Sequence, residues 1–127
     1  MSNLELPKAK SIPTPPFFFN GLVEKPYKNE YRVILPSQKG AHHDERPEMM
    51  AKEIAERVIQ GIEGQGFNFI FANFANPDVI AHSGNYEAAL MAVDVIDEQI
   101  GRIMKASIAN NFTLIITSDH GNIERMI

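Results

Sequence analysis

The chain contains no cysteine. Disulfides, thiolate nucleophiles and cysteine-held zinc or iron–sulfur centres are therefore excluded, and any metal has to be held by Asp, Glu, His and other oxygen donors. Positive charge is scarce too. Twelve Lys and Arg stand against 16 Asp and Glu, a formal charge of −4, and no basic patch stands out, so neither nucleic acid nor an anionic membrane surface is expected as a partner. No apolar run approaches the roughly 20 residues that a membrane helix needs. The opening MSNLELPKAKSIPTPP lacks the positive-then-apolar order of a secretory signal, which leaves a cytoplasmic location as the expectation by elimination. A P-loop, a dinucleotide fingerprint and a serine nucleophile elbow are also absent. Gly61, Gly64 and Gly66 have the wrong spacing for a phosphate cradle and precede an apolar run instead of following one.

What is present reads as one globular domain: 127 residues, 44% of them apolar and 22% charged. Pro7, Pro13, Pro15 and Pro16 remove backbone donors near the start, so residues 1–15 are expected to form an extended leader, with the domain proper over 16–127. Short strands are predicted at Phe17–Phe19, ahead of the Asn20-Gly21 turn signal, and at Val33–Leu35, closed by Pro36. Pro47 suits the first turn of a helix, and Met50, Ile54, Val58 and Ile62 then recur every four residues. FNFIFANF, residues 67–74, is apolar on both parities, as in a strand covered on two faces. A loop bracketed by Pro77 and Gly84 follows. From Tyr86 to about Ile108 the apolar positions return at helical spacing, Asn110-Asn111 ends them, and TLIIT at 113–117 reads as a last strand. Strands alternating with helices predict an α/β fold, a parallel sheet with flanking helices. Ligands of such sheets collect beyond the carboxyl ends of the strands. The loops after residues 35, 74 and 117, carrying Lys39, Asp78 with His82, and Asp119 with His120, are thus expected on one edge.

Asp78 and His82 are four residues apart, and on a single helical turn their side chains share a face and can point at one ion. Carboxylate with imidazole suits Mn, Zn or Fe better than Ca or Mg. The plainer alternative is a loop Asp capping the next helix and a His resting on its first turn. Asp119 and His120 emerge where an apolar strand is expected to end, beside Gly121, which permits close backbone approach. Two Asp/His pairs following two strands look like halves of one metal site. Lys39 adds a positive charge to the same edge, where an anion would be drawn. His42 and His43 are adjacent, so on an extended chain only one of them can face a site, and both are left out of the candidate set.

At this point the wording of the motifs matters. NFANPDVIAHSGNYEAALMAVDVIDEQIGRI and TLIITSDHGNIE, with FFFNG, ILPSQK and RPEMMA ahead of them in the same order, closely resemble the cofactor-independent (2,3-bisphosphoglycerate-independent) phosphoglycerate mutases of the alkaline phosphatase superfamily. The resemblance runs from about Pro16 to Ile127. It implies that residues 16–127 are the C-terminal part of an alkaline-phosphatase-like metal-binding domain. On the same grounds Asp78 and His82 would bind one manganese ion and Asp119 and His120 a second, while Lys39 would face the transferring phosphoryl group. The implied reaction of the complete enzyme is the glycolytic interconversion of 3-phosphoglycerate and 2-phosphoglycerate through a phosphoserine. Ala81 stands where the family usually has Gly, Ser83 where Thr is common, and Gly40-Ala41-His42-His43 departs from the usual wording. The family's serine nucleophile, a further Asp ligand, its substrate-binding Arg and His residues and a later His ligand have no counterpart here. The chain by itself is therefore expected to be inactive and to bind manganese weakly. The alternatives at this stage are part of a phosphopentomutase or alkaline-phosphatase-type enzyme, or a non-catalytic α/β fragment that binds a partner or self-associates through exposed sheet edges.

Overall fold

A computed structural model describes residues 20–35 and 43–125. The expected leader, the Phe17–Phe19 strand, Lys39 and His42 lie outside these residues. The chain divides into two compact units, Met1–Ile34 and Leu35–Ile127.

The described part of the first unit is a loop organised by one carboxylate. Glu30 accepts from the Arg32 guanidinium, from Asn20 Nδ2 at 3.0 Å and from the Tyr27 backbone N–H at 2.7 Å. Arg32 Nη1 in turn donates to the Glu24 carbonyl at 2.7 Å. With three donors favouring its charged form, the Glu30 carboxyl is lowered from 4.5 to about 2, first by the Arg32 hydrogen bond, then by Asn20 and the Tyr27 N–H. Asn20-Gly21 does form a turn, with Gly21 at φ +63°.

The second unit is helical. Helix α1 spans Ala51–Glu63, α2 spans Asn76–Ala81 and α3 spans Tyr86–Ala109, with single 3₁₀ turns at His43–Glu45 and Ile123–Arg125. Helix α1 starts four residues after Pro47, and Gly61 lies inside it. Its close neighbour there is Ile70, whose Cδ1 would be 3.1 Å from a Cβ at that position. The helix ends at Gly64, and the left-handed residue beyond it is Gln65, at φ +48°. Asn85 caps α3, its side chain accepting from Ala88 N–H at 3.1 Å. At the far end Asn111 takes φ +58°, while Phe112 N–H reaches the Ser107 carbonyl at 2.9 Å and Asn111 N–H the Ile108 carbonyl at 3.4 Å. This is a Schellman closure with Asn in the glycine position.

Two apolar clusters hold these helices. Ala55 and Ile62 of α1 meet Ile103 of α3, with Val58, Ile59, Ile70, Phe74, Ala106 and Phe112 around them. Nearer the start of α3, Ala88, Ala89 and Ala92 receive Ile80 of α2, and Ile123 packs on the same cluster. Small side chains on α3 are what allow α2 to approach. The buried face of α3 is accordingly the one bearing Ala88, Ala89, Ala92, Gln99, Ile103 and Ser107, whereas Tyr86, Leu90, Val93 and Met104 of the expected apolar series are exposed.

The expected parallel sheet is not there. None of the described residues is in a strand: segments 33–35, 67–74 and 113–117 are irregular, so the α/β, alkaline-phosphatase-like sheet expected from the sequence is corrected to a helical arrangement in the described residues. A strand exists only where its ladder is completed by a neighbour and its apolar side chains are covered. Here Phe69, Phe71, Ile34 and Ile116 are exposed, and Ile115 is 81% exposed. Apolarity on both parities is thus not enough to make a strand among the described residues.

Candidate metal centre

The short helix α2 replaces the loop expected between Pro77 and Gly84. Pro77 sits in its first turn, where a missing N–H costs nothing. Asn76, 1% exposed, anchors it by donating Nδ2 to the carbonyls of Pro47 at 2.8 Å and Glu48 at 2.9 Å. Behind it Ile80 is fully buried. Asp78 in the first turn and His82 at the C-cap therefore stand on one helical face, as their spacing requires. Asp78 Oδ1 lies 3.4 Å from His82 Nε2.

As an ion pair this contact is weak, because the two side chains are 43% and 72% exposed. As a donor pair it is better suited. Ligand bonds of about 2.1 Å meeting at a roughly tetrahedral angle span the same separation, so the pair fits two positions around a first-row divalent cation in both distance and donor chemistry. The capping alternative does not apply, since α3 is capped by Asn85.

Asp119 and His120 lie in the irregular segment before the Ile123–Arg125 turn. Asp119 Oδ1 is 3.8 Å from His120 Nε2, and the Asp119 side chain is 90% exposed. His120 Nδ1 is 3.3 Å from the Gly121 carbonyl, and Ser118 Oγ donates to the His120 carbonyl. A Cβ at Gly121 would meet the Glu124 carboxylate, the movable end of a side chain three residues on.

The two pairs do not merge: among the described residues no group of three or more His, Asp or Glu side chains is placed to hold a metal. What links them is an asparagine outside the candidate set. Asn122, two positions after His120, donates Nδ2 to Asp78 Oδ1 at 2.8 Å and lies 3.5 Å from His82 Nε2. Of the three loops expected together, those after residues 74 and 117 thus do meet. The signal for Asn122 was its place in SDHGN, but a neutral amide carries no charge or ligand chemistry by which spacing alone would single it out.

Among the described residues no helix is long and apolar enough to cross a membrane.

The 2,3-bisphosphoglycerate-independent phosphoglycerate mutase of Wolinella succinogenes is 43% identical over 99% of this chain and 25% of that protein. The protein of the same name from Onchocerca volvulus is 46% identical over 87% of this chain and 22% of that protein. The chain thus spans about a quarter of the length of such relatives. A crystal structure of Leishmania mexicana phosphoglycerate mutase at low cobalt concentration matches 84% of this chain and 20% of that one, with a TM-score of 0.81 and 28% identity. The fold of the matched part is therefore similar to that of this mutase. A family model described as the metalloenzyme superfamily matches residues 1–127, and the chain belongs to that superfamily.

Proposed function

We propose that this chain is the ligand-bearing portion of a cofactor-independent phosphoglycerate mutase, an isomerase acting on 3-phosphoglycerate and 2-phosphoglycerate in the cytoplasm. The observation that carries the reading is the Asp78–His82 pair at 3.4 Å, tied through Asn122 to the segment bearing Asp119 and His120. The similarity to mutases along most of the chain supports it.

In this reading Asp78 and His82 would hold one divalent ion and Asp119 and His120 another; the mixed carboxylate and imidazole donors suit manganese, zinc or iron, and the family resemblance implies manganese among them. When bound, such ions neutralise charge on phosphoryl oxygens and lower the pKa of an attacking oxygen. The chain's own part is to position. Helix α2, fixed by the buried Asn76 and Ile80, presents Asp78 and His82 on one face. Asn85, capping α3 directly behind, holds the Ser83–Gly84 turn, where its backbone N–H donates to Ser83 Oγ at 3.1 Å. Lys39 would counter phosphoryl charge as a point cation.

The test is a chimera in which residues 16–127 replace the matching stretch of the Wolinella succinogenes mutase. Interconversion of 3-phosphoglycerate and 2-phosphoglycerate by the chimera, lost on Asp78→Ala or His120→Ala, is the expected result. A folded chimera whose turnover survives either substitution would overturn the reading.

A further inference from the structure

We propose that Asn122 is a positioning residue for the metal centre: its side-chain amide orients the Asp78 carboxylate and pins the Asp119-His120 segment against α2. The proposal rests on the reading of Asp78 and His82 as metal ligands.

The amide Nδ2 is 2.8 Å from Asp78 Oδ1 and 3.5 Å from His82 Nε2, and those two atoms are 3.4 Å apart. One NH₂ group therefore faces both donor atoms of the pair. A carboxylate oxygen has two lone-pair directions, so an N–H on one of them fixes the carboxylate while the other stays open toward a cation. Without this bond Asp78, 43% exposed, is free to rotate away from His82. The backbone that carries the Asn122 side chain is itself held at two points. Asn122 N–H donates to Glu124 Oε2 at 2.8 Å, and the next residue, Ile123, packs on Ile80, Ala88, Ala89 and Ala92. The amide thus reaches 44 residues back along the chain from a turn already docked by apolar contact. An amide is the suitable group, because it donates to a carboxylate without adding charge that would compete with a cation or repel it.

Cobalt(II) titration of the chain, followed by its visible absorption, provides one arm of the test. Asn122→Ala should weaken binding by about tenfold or more, the usual cost of removing a group that orients a ligand, and should change the absorption bands. Ile123→Ala, which loosens the same turn but keeps the amide, should weaken binding much less. The second arm needs no metal: in NMR spectra of the metal-free chain, Asp78→Ala should shift the Asn122 side-chain amide protons. Wild-type cobalt affinity in Asn122→Ala overturns the proposal, as do equal losses in Asn122→Ala and Ile123→Ala. Amide protons unmoved by Asp78→Ala overturn the tether. A wild-type chain that takes up no cobalt, with the amide shift intact, overturns the metal reading of Asp78 and His82 and leaves the tether as a structural bond only.

Discussion

Asn76 donates both of its amide protons into the lead-in of α1, to the Pro47 carbonyl at 2.8 Å and the Glu48 carbonyl at 2.9 Å. The helix that carries Asp78 and His82 is thereby fastened to the start of another helix by a buried side chain. Asn76→Ala should leave the Pro47 carbonyl buried without a donor and cost about 1–3 kcal/mol. The Glu48 carbonyl keeps the Ala51 N–H at 3.0 Å, which limits the loss. Asn76→Asp should cost more, since a carboxylate would face two carbonyl oxygens with nothing to donate. Urea midpoints of the three proteins at constant m-value check both statements.

The cap of α3 offers a milder change. Asn85→Ala removes the acceptor for Ala88 N–H and should cost about 1 kcal/mol, while Asn85→Asp should hold close to the parent because the acceptor remains. Thermal unfolding followed by helix ellipticity orders the three proteins. Equal midpoints for Ala and Asp would show that the cap bond contributes nothing.

Glu30 sets a pH dependence in the first unit. Its carboxyl is held at about 2, against an ordinary value of 4.5, chiefly by Arg32. A folded value below the unfolded one means that the charged carboxylate stabilises its loop fully above pH 4.5. That contribution fades as pH falls from there and is gone below about 2. An NMR titration of the Glu30 carboxyl should therefore show a midpoint well under 4.5, rising toward it in Arg32→Ala. A normal midpoint in the parent chain would mean that the three donors do not engage Glu30 in solution.

Metal affinity should follow the number of ligands. Each Asp/His pair supplies two donors, and among the described residues no larger group forms, so calorimetry with manganese should give a dissociation constant above roughly micromolar. In a complete mutase carrying this stretch, Asp78→Ala and His82→Ala should empty one metal position and Asp119→Ala and His120→Ala the other, which anomalous diffraction can locate. Loss of the wrong ion, or full occupancy of both, would refute the pairing.

The helices were the legible part of the fold. A four-residue apolar repeat gave α1, and α3 runs from Tyr86 to Ala109, ending at Asn110-Asn111 as its polar pair suggests. Which face of α3 is buried was not legible. Ile103 shares the buried face with the alanines whereas Leu90, Val93 and Met104 do not, and the seat that Ile80 of α2 takes on the alanines is what separates them. The sheet misled for a related reason: 67–74 and 113–117 carry the composition of buried strands, but pairing is a property of two segments and cannot be read from either alone. At the site, four-residue spacing correctly placed Asp78 and His82 on one face. The Asn122 contact joins residues far apart in sequence, where no local period operates. Lys39 lies outside the described residues.

Helix α3 carries its two apolar clusters at different points along one rod, Ala88–Ala92 near one end and Ile103 toward the other. At about 1.5 Å per residue its 24 residues run roughly 36 Å. The site draws its apolar support from the first cluster, through Ile80 and Ile123, while Asn76 ties α2 to the lead-in of α1. The molecule is in this sense modular: energetic losses at Ile62 or Ile103 should add to losses at Ile80 with little interaction between them.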